Sequence, residues 1–127
     1  MKKNSFFFTV IIATKNVEDK IDSTLKSIVN QSLKDFQIII VDSKSSDNTI
    51  KLIKLYEKFI DVIISEEDQG IYYAWNKASK HIKGNWVHYL GAGDLLFNDD
   101  LYFNVYNHLN YIDDNIDLVY GDISTYD

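Results

Sequence analysis

The sequence predicts an α/β fold, a three-layer sandwich with a mostly parallel central sheet, on three observations. Apolar runs rich in β-branched residues alternate with stretches of helical period, the succession that builds βαβ units. Two of the runs, over 6–13 and 36–41, are apolar without alternation, as strands buried on both faces are. Three runs lead into an aspartate (Asp42, Asp68 or Asp94), at the strand end or in the loop directly after it.

The first run follows Met1-Lys2-Lys3-Asn4-Ser5, and basic residues before an apolar stretch have the outline of a signal peptide. The run is nevertheless rich in β-branched and aromatic residues and passes straight into Thr14-Lys15-Asn16, which favours a strand. From Glu18 to Asn30, Ile21, Leu25, Ile28 and Val29 recur at helical spacing, with Glu18 and Asp19 in the first turn, where the helix dipole favours acids. The second strand ends at Asp42. The polar loop Ser43–Asn48 is full of capping residues, and a helix is expected from Asp47 to Phe59, burying Ile50, Ile53, Tyr56 and Ile60. Residues 61–65 read as a short third strand and Glu66–Gly70 as an acidic loop. A helix over 71–82 follows, with Ile71, Ala74, Trp75, Ala78 and Ile82 on one stripe.

Strand four starts at Gly84 and reaches the corner Gly91-Ala92-Gly93-Asp94, where Gly91 and Gly93 permit a sharp turn and close approach of a ligand. A helix over 99–112 and a fifth strand over 117–120 complete the pass. One domain over 1–127 is expected, read as the front part of a larger protein.

Composition narrows the function. Hydrophobic residues make up 46% and charged residues 25%, an ordinary globular balance. The net charge is −6, with 13 lysines and no arginine, which argues against a nucleic-acid surface. Without arginine no guanidinium fork can clamp a diphosphate, so a metal ion, backbone amides or lysine must bind any phosphate. The absence of cysteine rules out thiolate metal sites and fits a cytoplasmic protein. No apolar run approaches the ~20 residues of a membrane span. The histidines His81, His88 and His108 show no ligand spacing, and His88 inside strand four reads as structural.

A parallel sheet puts Asp42, Asp68 and Asp94 on one edge, so the three carboxylates could converge on one crevice. Taken singly, each has an equally ordinary reading as a helix cap or turn former. A dinucleotide fold would need a glycine fingerprint after strand one, and Ala13-Thr14-Lys15-Asn16 has none; a P-loop is also missing. Carboxylates without arginine suit a hard cation such as Mg²⁺ or Mn²⁺ held partly by a ligand's phosphates. An aspartate can also accept from the ring N–H of a pyrimidine such as uracil.

The succession TVIIATKN, VNQSLKDFQIIIVDSKSSDNT and SEEDQGIYYAWNKASKHIKGNWVHYLGAGD resembles the nucleotide-binding half of family 2 glycosyltransferases of the GT-A fold, above all bacterial members that build cell-surface polysaccharides. The resemblance covers nearly the whole chain, and its most specific part is Asp68-Gln69-Gly70-Ile71-Tyr72 with Ala74, Asn76 and Lys77. It implies that Thr14 and Asn16 line the nucleoside pocket and that Asp42 accepts the uracil N3–H. It implies too that Asp68 and Gly70 face the nucleotide, with Asn76 and Lys77 steadying that loop or the donor. For Asn76 and Lys77 a solvated helix face is an equal reading.

The corner occupies the family's metal-binding position. Only the last aspartate of the common Asp-x-Asp-Asp form survives in Gly91-Ala92-Gly93-Asp94, and the resemblance then implies that Gly93 lies against the nucleotide and that Asp94 alone is the ligand of a Mg²⁺ or Mn²⁺ ion. The implied reaction is inverting transfer of a sugar from a nucleoside diphosphate, UDP for preference, to a saccharide or lipid-linked saccharide. The implied setting is the cytoplasm, at the inner face of the membrane, with peripheral association through a region beyond residue 127. The general base is expected beyond residue 127 as well; Asp122 and Asp127 qualify only as C-terminal acids. A non-catalytic nucleotide-binding or scaffold domain of the same fold is the alternative. A nucleotidyltransferase would need a glycine-rich basic loop that the sequence lacks.

Overall fold

The computed structural model describes residues 6–125. Its elements are β1 (Phe6–Thr14), α1 (Ile21–Val29), β2 (Phe36–Asp42), α2 (Thr49–Lys54), β3 (Val62–Ser65), α3 (Ile71–Ser79), β4 (Gly84–Gly91) and α4 (Leu101–Leu109). The strands form one parallel sheet in the order β3-β2-β1-β4. The chain moves outward from β1 to β3 and then returns through α3 to the other side of β1. In open α/β sheets, a reversal of this kind leaves a crevice at the carboxyl edge.

Two cores make this a three-layer sandwich. Phe8, Val10, Ile12, Ile38, Ile40 and Leu90 pack on one face against Ile21, Leu25 and Ile28 of α1, Ile53 of α2, and Tyr102 and Leu109 of α4. On the other face Ile11, Ile39 and Val41 meet Ala74 and Ala78 of α3. Both faces of β1 and β2 are therefore covered, which is why their sequences are apolar without alternation.

Several predicted boundaries move, each for a local reason. The first helix begins at Ile21, so Glu18 and Asp19 precede it; Glu18 instead accepts the Asn48 N–H through Oε2 at 2.9 Å. The second helix stops at Lys54 and not at Phe59. Beyond it Leu55, Tyr56, Glu57 and Phe59 donate to carbonyls three residues back, tight turns that swing the chain round to start β3. The third helix ends at Ser79, and Ile71 on its expected buried stripe is half exposed, because the first turn overhangs the sheet end. The fourth spans only Leu101–Leu109.

The expected fifth strand over 117–120 is absent. Those residues carry no strand, and Leu118 and Tyr120 are exposed. A strand exists only by pairing, and apolar composition marks a candidate without supplying its partner.

Candidate functional site

Parallel register places Thr14 beside Asp42 and Asp42 beside Ser65 at the carboxyl ends of β1, β2 and β3. Asp42 is fully buried, and donors from the ends of β1 and β3 and from the loop after β2 converge on its carboxylate. Thr14 Oγ1 donates at 2.7 Å, the Ser45 N–H at 2.8 Å, the Ser45 hydroxyl closer still, and Ser65 Oγ at 3.1 Å. A buried carboxylate is tolerable only when hydrogen bonds replace its water in this way.

The loops after β1 and β2 are laced together above it. Asn16 Oδ1 accepts the Ser46 N–H at 2.8 Å, the Asn16 N–H donates to Ser45 Oγ, and the Val17 N–H donates to Thr49 Oγ1 at 2.8 Å.

Beside this knot opens a crevice of about 360 Å³. The strand ends Ala13, Thr14 and Val41 and the loop residues Lys15 and Ser43 line one side, and Asp68, Gly70, Ile71 and Ala74 line the other. Asp68 Oδ1 accepts the Gly70 N–H at 3.1 Å. Its Oδ2 is buried without any hydrogen-bond partner, alone in that respect among side-chain N and O atoms of the described residues. An acceptor so placed forfeits its hydration, and a ligand bringing a donor would restore the lost bond. Gly70 has φ +121°, a conformation that L side chains rarely adopt. Lys77 ties the acidic loop to α3, donating to the Glu67 carbonyl at 3.0 Å and pairing with Glu66 at 3.2 Å. Asn76 is exposed on α3.

The corner after β4 is built differently. Asp94 is exposed, and its carboxylate folds back so that Oδ2 accepts the Gly91 N–H at 3.2 Å. A Cβ at Gly91 would lie 2.7 Å from that oxygen, so a side chain there would push the carboxylate off the Gly91 N–H; Gly93 supplies φ +109°. Nearby, His88 Nδ1 lies 2.9 Å from the Tyr102 hydroxyl. Burial pushes the imidazole below its ordinary value of 6.5, against the opposing pull of the Asp94 charge.

The three aspartates form no common metal-ligand cluster and stand in different surroundings. Asp68 lines the crevice, Asp42 lies beneath the loop, and Asp94 sits at its own corner. Among the described residues no group of three or more His, Asp or Glu side chains could hold a metal ion. Asn16 braces the loops. Asp122 is exposed within the extended segment after α4, and Asp127 lies outside the described residues. A larger depression, about 560 Å³, lies at the opposite end of β2 among Ser32, Lys34, Asp35 and Phe103, away from these carboxylates. Sequence reasoning missed Ser45, Ser65 and the crevice lysine Lys15. A hydroxyl residue at the end of β3 was a usable signal, but only once the β2–β3 register was known.

The sequence model of the family described as glycosyl transferase family 2 matches residues 9–127. The chain belongs to this family. A PGL/p-HBAD biosynthesis glycosyltransferase of Mycobacterium bovis is 33% identical over 119 residues, 91% of this chain and 46% of that protein. The putative teichuronic acid biosynthesis glycosyltransferase TuaG of Bacillus subtilis is 35% identical over 96 residues, 73% of this chain and 38% of the relative. The family 2 chain thus spans less than half the length of either.

Among solved structures, S. aureus TarS in complex with UDP-GlcNAc superposes with TM-score 0.77 at 24% identity, over 83% of this chain and 31% of TarS. The mannosyltransferase PcManGT from Pyrobaculum calidifontis, in complex with GDP-Man and Mn²⁺, gives 0.73 at 27%, over 80% and 32%. The GT-A arrangement expected for the family is the arrangement found.

Proposed function

We propose that this chain is the donor-binding part of an inverting glycosyltransferase that moves a sugar from a UDP-sugar to a saccharide or lipid-linked saccharide in cell-surface glycoconjugate synthesis. The observation that carries the reading is the crevice at the carboxyl edge of β1 and β2, where the buried Asp68 Oδ2 awaits a donor. Uridine brings such donors in its ribose hydroxyls. Asp42 takes the uracil N3–H in exchange for the Ser65 hydroxyl, the longest of its four bonds. Thr14 holds the other carboxylate oxygen in place. Gly70 and the first turn of α3 bring backbone close to the nucleotide, Asn16 braces the loop over it, and Lys77, with Asn76 beside it, fixes the acidic loop. TarS holding UDP-GlcNAc on the same fold supports the choice of nucleotide.

Asp94 and Gly93 face the donor's diphosphate. A single exposed carboxylate fits a Mg²⁺ or Mn²⁺ ion whose remaining ligands are phosphate oxygens and water, the usual habit of these cations. When bound, the ion neutralises charge developing on the diphosphate leaving group. The chain's own part is to hold Asp94 at the corner and to supply Lys15 at the crevice, in a sequence without arginine. The acceptor's general base belongs to a part of the protein beyond residue 127, with the acceptor met at the inner face of the membrane.

Titration calorimetry with UDP, with and without Mn²⁺, tests this. Binding that Mn²⁺ strengthens is expected, and no UDP binding by the full-length protein overturns the reading. The single carboxylate at the corner favours a second reading, a non-catalytic nucleotide-binding domain. That reading predicts UDP binding indifferent to Mn²⁺.

A further inference from the structure

The Asp94 corner hangs on α1, and the way it hangs gives three residues a role. Thr24 and Ser27 of α1, and Gln31 just beyond its end, stand three and four residues apart on one side of the helix. Thr24 and Gln31 are fully buried and Ser27 is half-buried. Each reaches a successive station of the segment after β4. Thr24 Oγ1 accepts the Gly93 N–H at 2.8 Å, and Ser27 Oγ accepts the Leu96 N–H at 3.2 Å. Gln31 donates from Nε2 to the Asn98 carbonyl at 2.6 Å and accepts the Tyr102 N–H on Oε1 at 2.9 Å.

The polarity of these groups is fixed from within the helix. The Thr24 hydroxyl donates its proton to the Lys20 carbonyl and the Ser27 hydroxyl to the Thr24 carbonyl. Both oxygens therefore have lone pairs left to accept from the corner segment. The Lys20 stem closes the upper end of the row, 3.0 Å from where a Cβ on Gly93 would stand. Asp94 itself is tied to Gly91 of its own turn, accepting the Gly91 N–H on Oδ2 and donating its N–H to the Gly91 carbonyl. The bonds from α1 are what fix that turn against the rest of the fold.

The geometry points to Thr24, Ser27 and Gln31 as positioning residues for Asp94, acting through the backbone of Gly93–Tyr102. This inference rests on the metal and diphosphate role given to Asp94 above. It assigns to α1 the task of holding one carboxylate where neighbouring carboxylates are missing.

The test compares Thr24→Val, which removes the acceptor and keeps the volume, with Thr24→Ser, which keeps the acceptor. In the ligand-free full chain, amide hydrogen exchange at Gly93 should quicken about tenfold in Thr24→Val and stay near the parent rate in Thr24→Ser. By calorimetry, Thr24→Val should lose about fivefold or more of the affinity that Mn²⁺ adds to UDP binding, leave metal-free UDP affinity unchanged, and be rescued in Thr24→Ser. Ser27→Ala, which removes the acceptor of the Leu96 N–H, should shift the Mn²⁺ increment the same way and serves as the test if Thr24→Val fails to fold.

An unchanged Mn²⁺ increment in the folded variants overturns the inference. So does an equal fall of affinity with and without the metal, which would mark a purely structural role. If the parent chain itself shows no Mn²⁺ increment, the reading of Asp94 fails, while the exchange rate at Gly93 still decides whether Thr24 holds the corner.

Discussion

Asp42 and Asp94 end neighbouring parts of one sheet edge, yet the structure treats them in opposite ways. Asp42 is fully buried and saturated by donors from Thr14, Ser45 and Ser65. Asp94 is exposed and touches one backbone N–H of its own turn. The first is part of the architecture, since the loops after β1 and β2 are wound around it. The second is a loose end held in place from behind by α1. In the proposed glycosyltransferase, the nucleoside end of the donor meets a preformed wall, and the diphosphate end meets a corner that the ligand must help to complete.

If that contrast is right, substitutions should separate the two regions by their cost to folding. Asp42→Ala strands the hydroxyls of Thr14 and Ser45 and a loop N–H without their acceptor, and should cost about 3 kcal/mol in urea unfolding. An Asp42→Ala protein as stable as its parent would remove the architectural role. Gly93→Ala forces φ +109° on an L residue and drives a methyl toward Lys20, and should cost about 1–2 kcal/mol by the same measurement.

A smaller, pH-dependent effect belongs to His88. Burial holds its folded value below the 6.5 of the free group, so the unfolded chain takes up the proton first. Its contribution to stability is complete above pH 6.5 and is lost as pH falls below that value toward the folded one. Unfolding midpoints should accordingly fall on acidification, and in His88→Gln that part of the slope should vanish. Asp94→Asn should change stability by no more than about 0.5 kcal/mol, being exposed, while abolishing the effect of Mn²⁺ on UDP affinity. A large stability loss in Asp94→Asn would erase the distinction between the two regions.

The sequence showed the strands and helices well where burial is two-sided. The apolar runs of β1 and β2 admit little else, and Ile21, Leu25 and Ile28 repeat at the helical period because α1 lies flat on the sheet. It failed where the outcome depends on a partner. Residues 117–120 have strand composition and no strand beside them, and the end of α2 is set by the need to turn into β3. The same limit applied to the site. Asp42, Asp68 and Asp94 could each be picked out as strand-end acids, but whether they meet is a matter of side-chain direction across three loops.

The sequence by itself determined the α/β class, the parallel order of its elements and the family, because hydrophobic period and motif spacing are local properties written along the chain. Only the tertiary structure decided that Asp42 is enclosed, that Asp68 keeps one oxygen without a donor, and that α1 carries the Asp94 corner. Those facts rest on hydrogen bonds between residues far apart in sequence, such as Thr24 with Gly93 or Gln31 with Tyr102. The sheet register and the helix docking bring them within reach, and no local pattern records that.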